Sequence, residues 1–263
     1  MYLIKNIDIL KIEKSDVKIP LVKNEDSMKQ LFIEDSDCSY MYYGCDAYPN
    51  TQGDLEFHIN NSNFYEKKYN FFSMEEYKEE IRIKTFNNPL FLGDNCFGTV
   101  NESSFTSEKG GVSFCQKGDI SLQNINIEVL NGEITAGDTF NTALTCYGPG
   151  NCFVDEMHIN INGYVTVGFW KQDNTKKGGK CIIQNTTVNG SAVASLVLAM
   201  LESVSVKNCT ILSKKLKPNN GYWISALSKD DIETKVELSD ISSNERFMLY
   251  SFDSVSATNC SAD

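Results

Sequence analysis

The side chains able to do acid–base or metal chemistry are few and widely spaced. Among 263 residues there are two histidines, His58 and His158, and neither has a second histidine near it in sequence. That spacing signals no metal site. The nine cysteines include no Cys-x-x-Cys pair, so neither a zinc site nor a disulfide framework is indicated. Asp155 and Glu156 are adjacent, and an extended backbone sends adjacent side chains to opposite faces. They read as a solvated turn and not as a catalytic pair. No Gly-x-Ser-x-Gly, phosphate loop or dinucleotide fingerprint occurs. The segment "KKGGK" (176–180) is a basic loop without the preceding strand and spaced glycines of a phosphate cradle. No cofactor is implied.

Composition narrows the function classes further. The formal net charge is −11, and the only arginines are Arg82 and Arg246. Nucleic acid is therefore an unfavourable partner, because phosphate contact needs clustered Lys and Arg. In "MYLIKNIDILKIEK" Lys5, Asp8 and Lys11 interrupt any apolar signal region. The longest apolar run, "AVASLVLAML" (192–201), is roughly half of a membrane span. The expectation is no signal peptide, no membrane insertion, and residence or assembly in the cytoplasm with reduced thiols.

One phrase organises the rest of the chain. "VKNCTI" (206–211) returns as "ATNCSA" (257–262), and looser copies put Asn in the same third position, with two Glu and one Leu as departures. Those positions are Asn61, Glu102, Asn124, Glu156, Asn185, Asn208, Leu238 and Asn259, with steps of 41, 22, 32, 29, 23, 30 and 21. Apart from the first step, read as about two units long, these are repeat-unit lengths. Asn is the non-glycine residue most tolerant of left-handed backbone. A recurrent Asn between short β runs marks a recurrent sharp bend. Asn-x-Ser/Thr at Asn60, Asn101, Asn185, Asn189, Asn208 and Asn259 follows mostly from this repeat, and glycosylation is given little weight. Cys209 and Cys260 share one repeat position, which would let them stack as neighbours, and are read as buried reduced thiols.

The pattern resembles the right-handed parallel β-helix of the pectate-lyase-like superfamily. The resemblance rests on Asn61, Asn124, Asn185, Asn208 and Asn259 and covers roughly residues 55–263. It implies an all-β solenoid of about eight coils in which these Asn side chains stack as a ladder. Residues 1–54 show no repeat phrase and read as an irregular N-terminal cap, with 55–263 as one continuous β-helix domain. A capping box, Ser73 with Glu76, predicts one short helix over 73–81, assigned to the capping end.

In that superfamily the catalytic groups stand on the strands before the phrase. Here those strands are "LFLGD" (90–94), "GVSFC" (111–115), "ALTCY" (143–147), "VTVGFW" (165–170), "SLVLAML" (195–201), "YWISAL" (222–227) and "FMLYSF" (247–252). Asp94 is their one ionisable side chain of the common acid–base types, and so the one catalytic candidate. Sugar hydrolysis needs paired carboxylates, and elimination needs a base beside a cation. "RIK" (82–84) matches a polygalacturonase tripeptide but lacks that enzyme's companion motifs. The same strands are rich in apolar and aromatic residues. Trp170, Trp223, Tyr164 and Leu198 are the candidate contacts for a sugar or protein. Three positions separate Leu198 from Leu201, so one of the two is expected to face outward.

The reading is a non-catalytic assembly or binding module, of phage-tail, spike or surface-fibre type, that presents a long face to protein or glycan. The alternatives are a polysaccharide-cleaving β-helix enzyme and an acidic cytosolic partner-binding or toxin-inhibitor protein. The repeat runs to the last residues, which predicts an uncovered final coil and hence either association, with a homo-oligomer favoured, or continuation in a longer chain. A trimer is chosen by analogy with β-helical spikes.

Overall fold

A computed structural model describes residues 2–3, 7–17, 21–23, 28–39, 41–43, 54–65, 89–108, 111–132, 142–148, 150–164, 166–170, 179–191, 196–213, 221–226, 233–244, 246–250 and 252–262. Within them the chain is all β. Twenty-two strands join in one sheet, and every pairing is parallel. No helix occurs among the described residues, so none is long and apolar enough to cross a membrane. The helix expected over 73–81 lies outside the described residues.

The strands stack in three parallel ladders. One runs through Ile9–Glu13, Gln30–Glu34, Leu55–Asn60, Leu90–Ser107, Val112–Gly132, Cys152–Tyr164, Lys180–Gln184, Ser203–Ser213, Lys235–Ser243 and Ser254–Ala262. A second takes the chain just past each bend, from Asp16–Val17 and Asp37–Cys38 to Asn63–Tyr65 and onward. The third joins Tyr2–Leu3, Leu21–Lys23, Met41–Tyr43, Leu90–Ser107, Val112–Gly132, Thr142–Tyr147, Thr166–Trp170, Leu196–Leu201, Gly221–Ala226 and Arg246–Tyr250. Parallel strands cannot be joined by tight hairpins, which is why each return is long.

Alternate residues point inward and share one core. A single column of that core reads Ile12, Ile33, Ile59, Val100, Leu122, Val154, Ile183, Val206 and Leu238 on successive rungs. β-Branched and aliphatic side chains suit such stacked, pleated positions. Phe64 stacks on Phe105 in register, with ring centroids 5.0 Å apart. Phe57 stacks on Phe114 at 5.2 Å, which joins the first ladder to the third through the interior.

The bends fall where the backbone turns left-handed. Among the described residues, ten that are not glycine have positive φ: Lys14, Asp35, Asn61, Glu102, Asn124, Glu156, Asn185, Asn208, Asp240 and Asn259. All five Asn of the expected ladder are among them. Three expectations change. Residues 1–54 are not without repeats: Lys14 and Asp35 bend two further rungs, whose strands pair onward to Leu55–Asn60. The bend expected at Leu238 falls at Asp240, and Leu238 is buried in the core column. The 41-residue step is one rung, because Leu55–Asn60 pairs directly with Leu90–Ser107.

Asn189-Gly190 makes no hairpin. Asn189 pairs in parallel with Asn160 and with Leu212. Gly190 is needed for close approach: a Cβ there would meet the Ile161 Cβ at 2.7 Å.

Candidate binding face

The bend residues project outward, and neighbouring rungs bond through them. The Asn61 amide donates to Asp35 Oδ1 at 2.7 Å, and Asn259 donates to Asp240 Oδ1 at 3.1 Å. Asn208 donates to Asn185 Oδ1 at 2.8 Å, while Asn185 donates to Asp155 Oδ1 at 2.7 Å. The ladder is thus mixed amide and carboxylate. The carboxylates of Asp35, Asp155 and Asp240 each accept from an amide on the next rung. No such amide bond involves Asn124 among the described residues. Asp155 also accepts from Gln184 at 2.9 Å, so it is held in the ladder beside exposed Glu156.

The residue after each bend turns inward. Ser36, Ser62 and Ser103 are buried there, and each hydroxyl donates to the carbonyl two residues back at 2.7–2.8 Å. Each also accepts a backbone N–H from the preceding rung at 3.2 Å: Ser15 to Ser36, Ser36 to Ser62, Ser62 to Ser103. In later rungs Cys209 and Cys260 hold this position. They are two rungs apart with Ile241 between them, so the repeated "NC" is a shared slot and not a stacked pair. The Cys209 thiol donates weakly to the Lys207 carbonyl at 3.2 Å, and the Cys260 thiol does so to Thr258 at 3.3 Å. Burial pushes the Cys209 thiol up to about 11. The seven cysteines with described side chains are free thiols, and six of them are buried.

The outer face of the first ladder carries the most developed side-chain network. His58 places one ring nitrogen 3.1 Å from Glu56 Oε1 and the other 3.1 Å from Thr99 Oγ1 on the next rung. Gln30 donates to Glu56 Oε2 at 2.8 Å from the preceding rung. The Gln30 hydrogen bond, and then the one to His58, hold the Glu56 carboxyl below its ordinary range. Phe32 lies flat on the His58 ring at 5.3 Å. The carboxylate and imidazole are engaged by one another and by Gln30 and Thr99, so the network ties three rungs together.

Beside it lies a different surface. His58, Thr99 and Ser121 are in register on three successive rungs, and Asn60, Asn101 and Gln123 form the parallel column two residues on. Asn60 and Gln123 are exposed, and Asn101 is half-buried. The side-chain amides of these three make no hydrogen bond with any described residue. On the next rung Phe153 follows Ser121 in register, 37% exposed, and Ile182 follows Phe153. Sequence reading missed this face because no single motif spells it. The available signal was the recurrence of Asn or Gln one residue before a bend.

The residues singled out from sequence are not gathered in one place. Asp94 lies in the strand Leu90–Ser107, inside the register irregularity between Leu92 and Cys96, and its side chain lies outside the described residues. The side chains of Trp170, Trp223 and Tyr164 likewise lie outside them. Trp170 pairs with Tyr147 and Ala199, Trp223 with Val197 and Met248, and Tyr164 with Ser191. Leu198 is not an outward contact. Both it and Leu201 are fully buried, because a register irregularity between them turns both inward despite the odd spacing. His158 is exposed, in register between Asn126 and Thr187. No group of three metal-ligating side chains is found among the described residues. Comparison with known proteins finds no matching family, no matching curated protein and no matching solved structure.

Proposed function

We propose that the chain is a right-handed parallel β-helix whose long side acts as a non-catalytic binding or assembly module, of the kind used in phage tails, spikes or surface fibres. The observation that carries this reading is the strict registration of outward positions. From the Lys14 bend to the Asn259 bend, the first-ladder residues just before each bend stand in register with those of the last rung, so their outward side chains form continuous columns. Strand spacing of about 4.8 Å makes this a periodic, elongated display surface. Every rung between the two ends of the described stack is held by two neighbours, so the surface is rigid and pre-organised there, which lowers the cost of binding.

The test is incubation with a panel of neutral and acidic polysaccharides, following new reducing ends and the ultraviolet absorbance of unsaturated products. No turnover is expected. Cleavage lost in Asp94→Asn with folding intact would replace this reading by the enzyme one. Association is part of the proposal: a homo-oligomer, a trimer by analogy with β-helical spikes. Light scattering that shows a monomer at high concentration removes that part.

A further inference from the structure

From the amide columns of the first ladder we infer a binding site for a neutral glycan, spread over the three rungs that bend at Asn61, Glu102 and Asn124 and bordered by Phe153. The inference rests on the display-module reading and says what is displayed to whom.

The first argument is hydrogen-bond chemistry. A sugar hydroxyl donates and accepts at once, and a carboxamide offers the same pair of roles on one planar group. Asn60, Asn101 and Gln123 present three such groups in line. Their amides are unengaged by the described residues, unlike those of Asn61, Asn185, Asn208 and Asn259 in the adjacent bend ladder. Ser121 adds a hydroxyl in the neighbouring column, beside Thr99, whose own hydroxyl is engaged by His58. Exposed side chains that repeat at the strand spacing meet an extended chain of hydroxyl-bearing rings better than a compact ligand.

The second argument is independent of the first. Phe153 is exposed on the rung that follows, directly in register with Ser121. Pyranose rings carry hydroxyls at their edges and C–H groups on their faces, so an aromatic ring beside a polar grid matches both. Aromatic side chains with one accessible apolar surface commonly serve such mixed contacts. Ile182 extends that surface by one rung.

Charge decides the glycan class. Within the grid there is no Lys or Arg. Glu34 precedes Asn60 in register and Asp155 follows Gln123, so carboxylates stand at both ends of the column. Lys117, the nearest cation along the strand to Ser121, is paired with Asp54 at 2.5 Å. Polyanionic sugars and phosphates meet repulsion here, and neutral glycans do not. A protein partner would need a larger apolar centre than Phe153 and Ile182 provide.

The experiment is titration of the full chain with maltoheptaose, cellohexaose, xylohexaose and mannohexaose, followed by ligand-observed NMR, with tetragalacturonate as the acidic comparison. One or more neutral oligosaccharides is expected to bind, and tetragalacturonate is not. Asn101→Ala with Gln123→Ala should weaken binding about tenfold, and Phe153→Ala should weaken it by a similar factor. Thr106→Ala, on the outer face of the second ladder, should leave it unchanged. Thermal midpoints of all variants identify any that fail to fold. Three results overturn the site: no neutral sugar binds, tetragalacturonate binds best, or the amide double variant and Phe153→Ala bind as the parent does. In the third case the display reading survives and only its location falls. A sugar that binds with the expected variant sensitivity but is cleaved supports the site and sinks the non-catalytic reading.

Discussion

The first four rungs and the later ones occupy the same slot, the residue after the bend, with different chemistry. At the N-terminal end it holds Ser15, Ser36, Ser62 and Ser103, a polar seam running along the inside of the bends. Further on it holds Ile125, Met157, Thr186, Cys209, Ile241 and Cys260. In the serine rungs every hydroxyl closes the bend by bonding the carbonyl two residues back. At Ile125, Met157 and Ile241 the slot is filled by apolar core instead, each about 1–2% exposed. The difference shows that the left-handed bend does not depend on one side chain inside. It depends on the outward residue tolerating positive φ, and the inward slot then accepts whatever pays its desolvation.

The largest effects should come from exchanging these two solutions. Ile125→Ser puts a hydroxyl into apolar surroundings and removes buried volume, an expected loss of about 3–5 kcal/mol in urea unfolding. Ser62→Ala removes two hydrogen bonds and leaves the buried Ser36 N–H unpaired, an expected loss of about 1–3 kcal/mol. A neutral Ser62→Ala would mean the seam is filler and the comparison fails.

The bend itself is tested by Asn208→Val, which forces a β-branched residue to φ 51° and cuts the bond to Asn185. A loss of about 1–3 kcal/mol is expected. Unchanged thermal stability would remove the outward ladder as a stabilising element.

Alkaline titration separates the two ends in another way. Burial first, and then Asp37 and Asp16, push the Cys38 thiol up to about 12. Burial pushes Cys209 to about 11. Both lie above the ordinary value of 9.0. Between that value and the folded one, the unfolded chain has lost protons that the folded chain keeps. Stability from each thiol is therefore complete below the ordinary value and is lost as pH rises towards 11 for Cys209 and 12 for Cys38. The expected slope is about 1.4 kcal/mol per pH unit for each thiol. Urea midpoints from neutral to alkaline pH check it, and the Cys38→Ala, Cys209→Ala double variant should flatten the profile.

The smallest effect is a gain. Glu102 occupies a bend at φ 47°, where Asn is better tolerated. Glu102→Asn should stabilise by about 0.5–1 kcal/mol. A destabilised variant would show that Glu102 has a role beyond forming the bend.

How much was legible depends on how local the signal was. Asn at a left-handed bend is a property of one residue, so Asn61, Asn124, Asn185, Asn208 and Asn259 could be read directly. Lys14 and Asp35 take the same conformation without the Asn signature, between strands of two to five residues. Their rungs were hidden in a region that read as irregular. The frame slipped at Leu238 because apolar residues alternate there, and a two-residue shift preserves that alternation. The candidate face was the least legible part. Asn60, Asn101 and Gln123 are 41 and 22 residues apart, and nothing local says that they are neighbours.

The sequence by itself determined the β class, the recurrent bends and the inward apolar alternation, because backbone preference and side-chain period act within a few residues. Tertiary structure decided which rungs touch. It turned the 41-residue step into one rung, buried both Leu198 and Leu201, and set three unengaged amides in a line beside an exposed phenylalanine. Parallel pairing joins segments twenty or more residues apart, and its register is chosen by the stacked core as a whole.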